Sequence, residues 1–187
     1  MTIMGLDQSL TGTGVTIWED GVLKFFLFET KKTKGTKTPS IDYTLRIQKI
    51  VKYMKNIIYE YGVSHVLIEG LSFGSTSNIV FDLGGLSHCI RTVLVDLVDL
   101  GKVQGFCVAP PTVVKKFYTG KGNASKLDMI QKAEDSGIHI PFMERIEKKE
   151  RFNNNVVDSH AMVSLLYELI SKKNVELLDK VEPYGTL

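Results

Sequence analysis

The chain has 187 residues, 43% hydrophobic and 24% charged, with a formal net charge of +2. That length supplies one domain with a full core, and so small a charge permits a nucleic-acid partner without arguing for one. No basic stretch followed by an apolar one opens the sequence and no run of about eighteen apolar residues occurs, so neither a signal segment nor a membrane span is expected and the chain reads as cytoplasmic.

Met1 to Ile17 reads MTIMGLDQSLTGTGVTI. Ile3, Met4 and Leu6 surround one carboxylate, Asp7; a turn of Ser9, Thr11, Gly12, Thr13 and Gly14 follows, and Val15 to Trp18 is apolar again. This predicts a β-hairpin with an acid on its first strand. An ionised aspartate in a buried strand is costly unless paired, so Asp7 calls for a metal ion or a dense set of hydrogen bonds. Gly21 closes a turn and Val22 to Thr30 is a third strand, completing an antiparallel meander. Lys31 to Ser40 is a basic loop with four lysines, either solvated or a phosphate-contacting arm. Ser40 or Asp42 then caps a helix to Tyr61, apolar at Leu45, Ile47, Ile50, Val51, Met54, Ile57 and Ile58, with Gly62 as its stop. Val63 to Glu69 is a short apolar strand that ends in an acid, and a helix leading into such a strand implies a crossover to a parallel extension of the sheet.

Gly70 to Asn78 is a small-residue loop with one aromatic, Phe73. Ile79 to Leu100 is a long helix with Gly84 and Gly85 inside it. Each glycine there costs about 1 kcal/mol relative to alanine, which points to close approach of another backbone, such as a partner subunit. Val103 to Ala109 is a strand, and Pro110-Pro111-Thr112 opens a short helix to Tyr118. Thr119 to Lys126 is a second basic glycine loop, with Ser125 capping a helix that runs on to Ser136. Ile138 to Asn154 lacks periodicity and reads as a charged connection; Asn153-Asn154 caps a final helix from Asn155 to Ser171. The tail from residue 174 is expected to be weakly ordered. Cys89 and Cys107 lack metal-ligand spacing and read as core thiols of a reducing compartment.

Three strands, helix, strand, helix, strand and then helices make an α/β fold: a five-stranded mixed sheet, three antiparallel strands then a parallel extension, flanked by helices. This is the RNase H-like pattern, spread over one domain of residues 1–187. In that order the first and fourth strands are neighbours, so Asp7 and Glu69 converge at one edge. A terminal helix packed across them brings Asp158, which shares the stripe of Met162, Leu165 and Leu169, with Asn155 one turn earlier. Oxygen ligands from three elements, without a His/Cys set, suit Mg²⁺ or Mn²⁺, two ions of which cleave phosphodiesters. Each acid also has a local reading: Asp7 in a turn, Glu69 at a strand end, Asp158 complementing a helix dipole.

The chain resembles the RuvC-type Holliday-junction resolvases, within the RNase H-like nucleases. The resemblance rests on Gly5-Leu6-Asp7-Gln8-Ser9 with Thr11-Gly12-Thr13-Gly14, on Ile68-Glu69, on Asp158 followed by Ala161, and on Gly122-Asn123-Ala124-Ser125-Lys126 with Lys115, and it spans Thr2 to Glu168. It implies a homodimeric endonuclease, bacterial or phage-encoded, that nicks opposing strands of a four-way DNA junction. Asp7, Glu69 and Asp158 would hold two Mg²⁺ ions per site, with Mn²⁺ able to substitute. Asn155 stands where the family has a fourth acid or a histidine and is carried as a fourth ligand, with His160 a possible proton relay. DNA contacts are expected from Lys32, Lys34, Lys115, Lys116, Lys121 and Lys126, and from Phe73, which sits one place off the family's junction-facing aromatic. Other readings are a nuclease acting on flaps or forks and a junction-binding protein with reduced catalysis. An actin-like ATPase also opens on such a hairpin but needs two such domains, more than 187 residues supply.

Overall fold

A computed structural model describes residues 1–32, 38–70, 79–141 and 154–187, with the backbone alone described at 79–82 and 154. β1 (Thr2–Asp7), β2 (Gly12–Glu19) and β3 (Val22–Glu29) form the antiparallel meander. α1 (Pro39–Tyr61) leads to β4 (His65–Glu69), which pairs parallel to β1, and α2 (Ile79–Asp99) precedes β5 (Gly105–Ala109), parallel to β4. α3 (Pro111–Thr119), α4 (Lys126–Asp135), α5 (Asn154–Lys172), the single turn α6 (Val175–Leu178) and β6 (Glu182–Gly185) complete the chain. The sheet order is β3-β2-β1-β4-β5-β6.

The sheet thus has six strands rather than the five expected, because β6 comes from the stretch assigned to a weakly ordered tail. Nothing in Glu-Pro-Tyr-Gly alternates, and proline cannot donate to a ladder, so the segment gives no strand signal. It is held by tertiary contacts instead. β6 runs antiparallel to β5, the Tyr184 ring lies 5.5 Å from that of Phe106, and the Tyr184 hydroxyl donates to Asp99 at 3.0 Å.

Several helix ends follow local chemistry. Gly62 closes α1 in the left-handed conformation at φ 58°, and Ser125 and Asp128 form a reciprocal capping box at the start of α4. At the start of α1, Asp42 does not cap; it is buried, 3.7 Å from Arg46, whose guanidinium also donates to Thr30 Oγ1 at 2.9 Å and to the Leu10 carbonyl at 2.6 Å. That buried network ties α1 to the β1–β2 turn. Cys107 is buried, its thiol pushed up to about 12, whereas Cys89 lies on the outward face of α2 and is exposed, so only one of the two cysteines is a core residue. An added Cβ at Gly85 would meet only the Ile47 side chain, at 3.9 Å, so no backbone described in this chain uses the space there. Among the described residues no helix is long and apolar enough to cross a membrane.

The pleat sorts the strands between two layers. Met4, Leu6, Val15, Ile17, Val66 and Ile68 face α1 and α2. Ile3, Leu67 and Cys107 face α3, α4 and α5. By the same alternation Gly5, Asp7, Gly14, Thr16 and Glu69 lie on the α5 side.

Candidate active site

Register brings the first two acids together. β1 and β4 run parallel with Leu6 beside Ile68, so Asp7 and Glu69 follow at the same level on the same face, at the carboxyl ends of both strands. The third acid depends on how closely α5 can approach. An added Cβ at Gly5 would overlap the Ser159 carbonyl and lie 2.7 Å from the Val163 nitrogen; at Gly14 it would overlap the Asn155 carbonyl and lie 2.7 Å from the Val156 nitrogen. Here two glycines serve as a seat, backbone against backbone, and a buried hydrogen bond of 2.8 Å between Thr16 Oγ1 and Ser159 Oγ fixes the helix along it. Asp158, between these two contact points, comes within electrostatic reach of Asp7.

The three carboxyls act on one another. Burial raises Asp7 well above the ordinary aspartate range, the charges of Glu69 and Asp158 raise it further, and Lys126 opposes them. Glu69 is raised to about 7 by burial and by Asp158, with Lys115 opposing. Asp158 rises to about 6 through burial, against Lys115 and Lys126. Like charges drawn out of water without full compensation favour any cation that can enter. The donors are all oxygens, a set that fits a hard divalent ion. Among the described residues no three acidic, histidine or cysteine side chains are already gathered into a finished ligand cluster, so the acids stand in electrostatic reach of one another rather than locked in coordination geometry.

The remaining sequence-predicted residues divide. Lys115 and Lys126 join the acids. Lys116 and Lys121 are exposed on the same α3–α4 segment, and Lys32 is exposed just beyond β3. Lys34 and Phe73 lie outside the described residues. Asn155 is at the site, and its Nδ2 donates to the Gly12 carbonyl. His160 is placed in the core: it is buried, its Nδ1 is 2.8 Å from the Tyr118 hydroxyl, and its ring lies 6.0 Å from that of Phe25. Two residues along a helix is about 200° of rotation, which turns His160 away from the face that carries Asp158. Composition alone does not distinguish such a buried polar pair from a relay. The residues missed by sequence reading are Gly5 and Gly14 as the seat of α5. The available signal was the run of small side chains at Gly5, Gly14 and Thr16 on one face of strands whose other face is large.

This charge pattern has a measurable sign. A carboxyl with a raised folded-state value binds protons that the unfolded chain has released, so stability falls as pH climbs from its ordinary value toward the raised one. His160 does the reverse: burial lowers it to about 4, so its contribution is lost as pH falls from 6.5. The two effects oppose each other below 6.5, and above it the carboxyls act alone. In EDTA the melting temperature is expected to fall as pH rises from about 6.5 to 7.5, with Glu69→Gln flattening the slope. A flat profile in the parent chain would contradict a shared field.

Comparison with known proteins adds the fold. No family model matches the chain, and no curated protein matches it by sequence. Among solved structures, it is similar to RuvC of Thermus thermophilus, with a TM-score of 0.60 and 15% identity over 98% of this chain and 100% of that one. It is similar to T. thermophilus RuvC in complex with a Holliday junction substrate, with a TM-score of 0.61 and 12% identity over 98% and 99%. The yeast mitochondrial Holliday junction resolvase Ydc2 matches with a TM-score of 0.57 and 12% identity over 87% of this chain and 75% of that one. At these identities the likeness is one of fold.

Proposed function

We propose that this chain is a divalent-metal-dependent endonuclease that resolves four-way DNA junctions by paired nicks. The observation that carries the reading is the meeting of three interacting carboxyls from β1, β4 and α5, Asp7 buried and Glu69 and Asp158 half-buried, with two lysines opposing them. A cluster of acids of this kind favours the entry of a divalent cation. The fold it shares with junction resolvases supports the choice of substrate.

In this reading Asp7, Glu69 and Asp158 hold two Mg²⁺ or Mn²⁺ ions. Asn155, whose Nδ2 is engaged with Gly12, offers its carbonyl Oδ1 as a fourth, uncharged ligand. Bound ions of this class supply a water of lowered pKa and charge stabilisation at the phosphate. The protein's part is positional and electrostatic. Gly5 and Gly14 set the height of Asp158 above the sheet. Lys115 and Lys126 offset the acids and attract the scissile phosphate, while Lys116, Lys121 and the lysines near residue 32 extend the contact along the backbone of the strand. Contacts of that kind give affinity and salt dependence rather than sequence readout. Residues 1–187 act as one endonuclease domain, and a homodimer places one site on each of two opposing strands. The setting is the cytoplasm of a bacterium or of a phage-infected cell.

The test is incubation of the protein and Mg²⁺ or Mn²⁺ with end-labelled four-way junction, flap, fork and duplex. Symmetric paired nicks confined to the junction are expected, lost in EDTA and restored by either ion. Equal cutting of flaps would replace the substrate assignment with a broader branched-DNA nuclease. Tight junction binding without any cutting would leave a binding protein.

A further inference from the structure

Beside the three acids lies a polar cluster to which the proposed reaction assigns no task. Gln8, the first residue beyond β1, donates from Nε2 to the main-chain carbonyl of Glu69 at 2.7 Å and to Ser87 Oγ at 3.4 Å. Ser87, fully buried on α2, accepts a second bond from Arg91 Nη2 at 3.1 Å, one turn along the same helix. The peptide of Glu69 is thereby joined through three side chains to α2, a helix that carries none of the acids.

The geometry explains why a side chain is needed. The β1–β4 ladder ends at Leu6 beside Ile68, and β1 then turns away into the hairpin. The carbonyl of Glu69 sits one step past the last paired residue on that side, and Gln8 Nε2 supplies the bond that the departed strand cannot. On its other side the strand end is already fixed, with Gly70 N donating to the Ala109 carbonyl at 2.8 Å. The peptide carrying Glu69 is therefore clamped from both flanks, once by main chain and once by Gln8.

The cluster carries a cost that a purely structural one would avoid. Among the described residues, Gln8 Oε1 and Arg91 Nε are both buried with no hydrogen-bond partner. An unsatisfied buried polar atom costs about 1–3 kcal/mol; methionine at position 8 would fill a similar volume and remove the orphan Oε1, but would give up the bond to the Glu69 carbonyl.

We propose that Gln8 is a positioning residue for the metal site: its amide fixes the peptide of Glu69, and Ser87 and Arg91 fix the amide. This rests on the reading of Asp7, Glu69 and Asp158 as metal ligands. Partners that orient a ligand in this way are worth about 10–100-fold in metal affinity or activity.

The experiment compares the parent chain, Gln8→Met and Ser87→Ala by Mn²⁺ titration calorimetry, by junction nicking at saturating substrate, and by melting in EDTA. Gln8→Met is expected to weaken Mn²⁺ binding about tenfold or more and to lower kcat with KM little changed. Its melting temperature in EDTA should change little, because the orphan Oε1 is gone while the Glu69 carbonyl loses its donor. Ser87→Ala, which uncouples Gln8 from Arg91, is expected to move affinity the same way by less, and decides alone if Gln8→Met does not fold. A parent that binds Mn²⁺ and nicks, with both variants matching it, overturns the positioning role and leaves the metal reading standing. A parent that neither binds Mn²⁺ nor nicks overturns the metal reading and this inference with it.

Discussion

Asp7→Asn is expected to lose junction nicking by roughly a thousandfold or more, a barrier increase of about 4 kcal/mol, while binding the junction as the parent does. Asp7 is the most deeply buried of the three acids, 7% exposed, and it feels both others. The amide keeps its shape and removes the charge on which cation binding depends. The same substitution removes a repulsive carboxyl from the set, so the metal-free variant should melt no lower than the parent, and Mn²⁺ should raise its melting temperature less. Lost cleavage with retained fold and binding would place Asp7 in the chemistry. A variant that still nicked at parental rate would remove Asp7 from the metal site, and with it the basis of the proposed mechanism.

Gly14→Ala is expected to be among the most damaging single-methyl additions at the described glycines. Its Cβ would overlap the carbonyl of Asn155 and press on the Val156 nitrogen, both of them main chain in the first turns of α5. Neither can rotate away as a side chain would, so the helix has to lift off the sheet. Overpacking of this kind costs about 3 kcal/mol or more, or a fall of roughly 10 °C in melting temperature for a chain of this size. Gly12→Ala, two residues earlier in the same strand, is the control: its Cβ would meet only Leu27 Cδ1 at 3.6 Å and Asn155 Nδ2 at 3.8 Å. Thermal melts of the two variants should differ widely. Equal melting temperatures would mean that α5 does not sit as closely as described.

Much of this was legible in the sequence because the signals were strong and local. The apolar runs at Ile3 to Leu6 and Val15 to Trp18, helical spacing in Ile50 to Ile58, and the serine cap at Ser125 each specify their element within a few residues. Asp7 and Glu69 stood out because each ends an apolar strand, and parallel neighbours bring such ends to one edge. What escaped was tertiary. β6 has no propensity of its own and exists because β5 offers an open edge. Asp42 looked like a cap and became half of a buried pair with Arg46, since α1 packs that turn against the hairpin. The glycines of the hairpin read as turn formers, yet Gly5 and Gly14 are there for a helix more than a hundred residues away. Lys115 and Lys126 read as phosphate contacts only, because nothing in their local sequence reveals that they face the acids.

The seat of α5 on β1 and β2 also orders events in time. Asp7 lies at the front of the chain and Glu69 follows in its first half, but Asp158 is delivered only when the last long helix docks on the two glycines. Emerging from the ribosome, the protein carries two of its three acids through most of its synthesis and cannot close the site. A contact between such distant parts of the chain is among the slowest to form in folding. In the proposed function, strand cleavage is thereby withheld until that helix has docked.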